Sequence, residues 1–154
     1  QVAQAMASAG VLTQIIKHIT GRISPFRSND GHTDQWTPFP NQIEYHKHVS
    51  HYDAFPSGHM AVCMATVTII AENYSEVKWI RPVGYTAMTL LGFQMMNNGV
   101  HWMSDYPIAI YIGYKFGEIV TPKLLPSKKY SKYSIYPYID LNNTRGLSIG
   151  YIID

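Results

Sequence analysis

The sequence predicts an all-α protein: a helical bundle followed by a short β-hairpin. Three observations predict it. Four segments carry apolar runs or apolar residues at helical spacing. Each is bounded by Pro, Gly, Ser or Asn where helices start and stop. The last twenty or so residues switch to strand-like alternation.

Residues 2–19, VAQAMASAGVLTQIIKHI, contain no Pro and repeat Val11, Leu12, Ile15, Ile16 and Ile19 at helical spacing. Gly21 and Pro25 end this helix near Thr20. Residues 21–56 hold four prolines and much Ser, Asn, Asp and Gly, which predicts a long irregular connection. Connections beyond about 12–15 residues are usually functional or disordered. Trp36, Phe39, Tyr45, Tyr52 and Phe55 argue for order. Ser57 reads as the N-cap of a second helix running to about Tyr74. A third starts at Pro82, well placed in a first turn, and ends at the NNG of 97–99. A fourth runs from about Ser104 to Val120 and is closed by Pro122. Residues 133–141 and 147–153 alternate about an NNTRG turn, a hairpin whose first strand Pro137 confines to an edge. The expected organisation is a helical domain over 1–125 and a hairpin tail over 126–154.

Composition narrows the function. Hydrophobic residues make up 46% of the 154 and charged residues only 14%, enough for a substantial core. The net charge of +2, with no basic run interleaved with aromatics, argues against a nucleic-acid partner. Lys128, Lys129 and Lys132 read as a solvated linker. The single cysteine, Cys63, reads as a small core residue. The apolar stretches 60–71, 83–96 and 107–114 fall short of the roughly 18–20 residues that span a bilayer. The chain starts with Gln1, which reads as a fragment or a processed form.

Two short motifs carry chemistry. In "PSGH", residues 56–59, Ser57, Gly58 and His59 open the second helix. The first N–H groups of a helix lack internal partners and lie at the positive end of its dipole, so they attract anions. Gly58 would let an anion approach the backbone, and His59 could exchange a proton near neutral pH. Taken alone, the tripeptide is more simply a capping serine followed by a surface histidine. In "GVHWMSDY", His101 and Asp105 stand four apart. On a helix or turn the two would meet, and the carboxylate could hold one ring nitrogen while the other attacks. Taken alone, this spacing is more simply a surface ion pair. Lys17, near the end of the first helix, is the third element.

PSGH at 56–59, H-x3-D at 101–105 and K-x6-S-P from Lys17 to Pro25 together resemble the three motifs of the type 2 phosphatidic acid phosphatase superfamily, which includes bacterial acid phosphatases and vanadium haloperoxidases. The resemblance implies a helical bundle with its site at one end. It implies His101 as the nucleophile of a phosphohistidine intermediate, oriented by Asp105, with His59 protonating the leaving oxygen. Lys17, Ser57 and Gly58 would hold the phosphoryl oxygens, with no metal and no cofactor. The sequence departs from the pattern at two arginines: Ser24 stands before Pro25, and Gln94 and Met95 stand where the third motif has Ser-Arg. A charge-assisted hydrogen bond contributes roughly 1.5–3 kcal/mol, so losing two unreplaced would cost about 10²–10⁴ in rate. Arg22 and Arg27 are the loop cations in reach, and Arg22 is the candidate substitute for substrate binding.

The expected function is metal-independent phosphate-ester hydrolysis on a lipid phosphate, an isoprenoid diphosphate or a small phosphomonoester. The alternative is a catalytically degenerate relative that keeps the scaffold and an anion pocket. A second alternative is metal binding by His46, His48, His51 and Asp53, whose spacings fit no familiar structural site. The expected partners are a phosphorylated small molecule or lipid, with membrane association open. The expected location is the cell envelope of a bacterium, periplasmic or membrane-associated.

Overall fold

The computed structural model describes residues 1–28, 35–121, 133–139 and 145–151. The chain divides into two units, Gln1–Thr121 and Pro122–Asp154. The first contains α1 (Val2–Thr20), α2 (Gln42–Lys47), α3 (Gly58–Asn73), α4 (Ile80–Asn97) and α5 (Tyr106–Val120). Single 3-10 turns cover Pro25–Arg27, Val49–His51 and Met103–Asp105. In the second unit, β1 (Tyr133–Ile139) and β2 (Arg145–Tyr151) pair antiparallel, with Pro137 opposite Leu147. The turn expected between them lies outside the described residues.

Helix α3 is the centre of the first unit. It packs against α1, α4 and α5, and α5 also meets α1. The core is built from small residues and methionines: Ala5, Ala9, Ala61, Ala65 and Ala109 with Met60, Met64, Met88 and Met95. Close approach explains the small residues. A Cβ on Gly113 would strike the Ala61 carbonyl, and one on Gly117 would lie 2.6 Å from the Thr68 side chain. This packing also splits the apolar set of α1, with Leu12 and Ile16 against the core. Its buried stripe is Ala5, Ala9, Thr13 and Lys17, while Val11, Ile15 and Ile19 face outward. No helix among the described residues is long and apolar enough to cross a membrane.

The helix ends follow local chemistry. Gly21 closes α1 in the left-handed conformation (φ 55°), donating to the Lys17 carbonyl. A side chain there would collide with the Thr37 carbonyl. Pro82 sits in the first turn of α4, two residues after the helix begins. Asn41 caps the short α2, which the irregular reading of 21–56 missed; its side chain accepts from the Ile43 and Glu44 amides. The rest of that connection is stitched by main-chain bonds. Ile23 donates to Gln35, Ser24 to Ser50, and Ala54 to Arg22. Trp102 ties it to the start of α5 by donating its indole N–H to the Ile23 carbonyl (2.9 Å).

Candidate active site

Helix α3 begins where the connection ends, and its first turn faces the last turn of α1. Ser57 is fully buried and caps α3, accepting weakly from the Met60 amide (3.5 Å). Its own amide donates to the Asp105 carbonyl (3.1 Å). Its hydroxyl caps the helix by accepting, which leaves its own proton to donate. A Cβ on Gly58 would lie 3.9 Å from Lys17 Nζ and 3.7 Å from Thr13 Oγ1. The missing side chain leaves room beside the ammonium group. The amides of Gly58 and His59 open the helix, where no intrahelical acceptor exists. His59 is exposed, and its ring centroid lies 6.4 Å from that of His101. Lys17, Gly58, His59 and His101 thus gather at one end of the bundle, with Ser57 just beneath.

His101 is buried at 4% exposure, and its Nδ1 lies 2.7 Å from the Ala54 carbonyl. A carbonyl only accepts, so Nδ1 carries a proton, and in the neutral ring Nε2 then keeps the lone pair. Asp105, the partner expected from the spacing, does stand beside this ring, within ion-pair range but without a hydrogen bond to it. Asp105 Oδ2 stands 3.6 Å from Nδ1, beyond a normal hydrogen bond. The residues between them are not α-helical but a coil and a 3-10 turn, which changes the separation read from the sequence. The carboxylate is spent elsewhere: Oδ2 accepts from the Trp102 amide (2.7 Å), and Oδ1 from Arg22 Nη1.

Arg22, the loop cation expected to substitute for a motif arginine, pairs with Asp105. Its guanidinium bonds Asp105 and the Ser104 hydroxyl (2.8 Å). It lies between two indoles, 4.6 Å from the Trp36 ring and 5.5 Å from the Trp102 ring. Both hydrogen bonds use Nη1. Arg27 is exposed and lies over Phe26. Ser24 is buried in the stitched connection, and Met95 belongs to the apolar core. Neither position presents a cation to the site.

Two residues that the motifs did not flag complete the Lys17 side. Asp53 Oδ2 pairs with Lys17 Nζ at 2.8 Å, and its Oδ1 accepts from the Tyr45 hydroxyl at 2.6 Å. Burial, and then the Asp53 bond and charge, push the Tyr45 hydroxyl pKa well up, so it stays a donor. Asp53 was read only as a member of the His-rich cluster, and no periodicity links it to Lys17. The cluster itself does not converge. His46 packs against His18 and Tyr45, His48 lies 3.8 Å from Glu44, and Asp53 is held by Lys17 and Tyr45. Among the described residues no three His, Cys, Asp or Glu side chains form a metal-binding group.

Fold and site together define a helical protein with histidines and a lysine gathered at one helix N-terminus. The chain belongs to the PAP2 superfamily, whose family model matches residues 1–125. No curated protein and no solved structure matches it significantly. Membership implies phosphatase-type activity in general, on phosphorylated substrates.

Proposed function

We propose that the chain hydrolyses phosphate esters through a phosphohistidine, using its own side chains and amides rather than a metal. The observation that carries this reading is the pairing of His59 with His101, 6.4 Å apart, beside Gly58 and the Lys17 ammonium next to it. Nε2 of His101 attacks phosphorus, and the bond to the leaving oxygen breaks. Protonated His59 gives that oxygen its proton. Lys17 and the α3 amides stabilise the charge on the phosphoryl oxygens. Water, deprotonated by His59, then attacks phosphorus and frees His101 and phosphate.

Turnover of p-nitrophenyl phosphate in the presence of chelator tests it. His101→Ala should lower the rate by on the order of 10³-fold or more. Acid-labile, alkali-stable phosphate should be trapped on the native chain and absent from the variant. Equal rates in the two proteins would sink the reading.

A second reading has its own support. Asp53 neutralises Lys17, and the two motif arginine positions carry no charge. These features favour a relative that binds an anion weakly or not at all. Absence of turnover in a folded chain, together with phosphate binding lost in Lys17→Met, would favour it.

A further inference from the structure

Arg22 is linked to His101 through two other residues. Its side chain bonds the Asp105 carboxylate, the acidic group nearest the ring. Its main-chain carbonyl accepts from the Ala54 amide (2.9 Å), and the Ala54 carbonyl receives His101 Nδ1. The backbone at Arg22 is itself bridged to Trp36 on one side and Asp53 on the other. Its Nε–H is buried with no hydrogen-bond partner. A buried pair with an unmet donor is poor evidence for a stabilising device. The arrangement instead divides the two acceptors that face His101: the charged one is drawn toward Arg22, and the neutral one is left on the ring.

We propose that Arg22 is a positioning residue that neutralises the Asp105 carboxylate beside the His101 ring and thereby keeps that ring neutral, with Nδ1–H on the Ala54 carbonyl and Nε2 free. It takes no phosphoryl oxygen. The inference rests on the reading of His101 as the reacting ring. The groups around His101 are few. His59 faces it from α3 and Tyr106 from α5, while Asp105 stands at the end of the 3-10 turn with Arg22 on it. Lys17, beside Gly58, is compensated by Asp53. Removing the Arg22 charge leaves the Asp105 carboxylate uncompensated 3.6 Å from Nδ1. A lone carboxylate at that range favours the imidazolium by about one pKa unit or more.

The test follows the His101 ring by nitrogen-15 NMR against pH and needs no turnover, so its failure is distinct from failure of the phosphatase reading. In the native chain the spectra should show the Nδ1–H tautomer. In Arg22→Met the pH midpoint of the ring should rise by about one unit or more, about tenfold in proton affinity. Arg22→Lys should keep the native midpoint, since the charge remains. Arg22→Met with Asp105→Asn should return the midpoint toward native, because no carboxylate is left. If Arg22→Met is too unstable to study, the Lys variant and the double variant carry the test, with Arg22→Lys/Asp105→Asn lowering the midpoint below both. A midpoint unmoved in Arg22→Met, or an Nε2–H tautomer in the native chain, overturns the proposal. Loss of inorganic phosphate binding in Arg22→Lys with the midpoint unchanged would make Arg22 a ligand and also overturn it.

Discussion

The site contains two lysine- or arginine-to-aspartate pairs of the same formal charge and opposite character. Lys17 and Asp53 have side chains 7% and 28% exposed, and Arg22 and Asp105 have 8% and 0%. The first pair opens to solvent through Asp53, beside Gly58. The second has two indoles against the guanidinium and further bonds from the Trp102 amide to Asp105 and from Arg22 to the Ser104 hydroxyl, with the buried Arg22 Nε–H left without a partner among its described contacts. Burial separates their roles. A partly wet pair can exchange its carboxylate for another anion at little cost, since water screens both charges. A dry pair cannot, because the partner left behind would be an unpaired buried charge. The Lys17 pair is therefore suited to an incoming phosphate, and the Arg22 pair to holding the site in shape.

The largest effect should come from breaking the dry pair. Asp105→Ala leaves the Arg22 guanidinium buried and uncompensated, which should cost about 3–5 kcal/mol in urea denaturation. Asp53→Ala should cost less, about 1–3 kcal/mol by the same measurement, because the Lys17 ammonium and the Tyr45 hydroxyl lose their acceptor but the vacated place is open to water. Equal losses would erase the distinction between the two pairs.

The next effect sharpens the comparison from the ligand's side. Asp53→Asn should free the Lys17 ammonium and tighten binding of phosphate or vanadate by about tenfold, or about 1.4 kcal/mol, in calorimetric titration. Asp105→Asn should give no such gain. Unchanged affinity in Asp53→Asn would show that Asp53 does not compete for the place an anion takes on Lys17.

A smaller effect lies at alkaline pH. Burial is the main cause that raises the hydroxyl pKa of both Tyr45 and Tyr106, and the neighbouring Asp53 or Asp105 adds to it. A raised pKa means that the folded chain holds the proton more tightly than the unfolded chain. The stability involved is therefore complete below the ordinary tyrosine value of about 10 and is lost as pH climbs through the folded value. Tyr45→Phe should make the fall in stability above about pH 10 shallower, as followed by denaturation across that range. An unchanged slope would mean that neither burial nor Asp53 holds the Tyr45 proton in the folded chain.

The smallest effect provides the baseline. Glu44 and Lys47 form an exposed pair at 3.3 Å. Lys47→Ala should change stability by less than about 0.5 kcal/mol. A larger loss would show that exposed pairs in this chain behave like the buried one.

Much of the scaffold was legible because helix signals are local. Gly21 and Ser57 each act on their own turn, so the ends of α1 and the start of α3 could be placed without tertiary information. The short α2 was hidden because six helical residues inside a proline-rich stretch give too little pattern to recognise. The outward turn of Val11, Ile15 and Ile19 was hidden for a different reason. Periodicity marks one face of a helix but cannot say that α3 and α5 come so close to α1 that small residues must lie between them.

The sequence by itself determined the helical order, the place of the hairpin and the residues Lys17, Gly58, His59 and His101 that meet at one end of α3. These follow from caps, breakers and short motifs, whose physics acts within a few bonds. Only the tertiary structure decided how the charges are shared: Asp53 on Lys17, Arg22 on Asp105, and the Ala54 carbonyl on His101. Each of these contacts joins residues 36 to 83 positions apart. Partnership at such separations is settled by which chain segments pack together and how much water they exclude, and that information is not carried by any local pattern in the sequence.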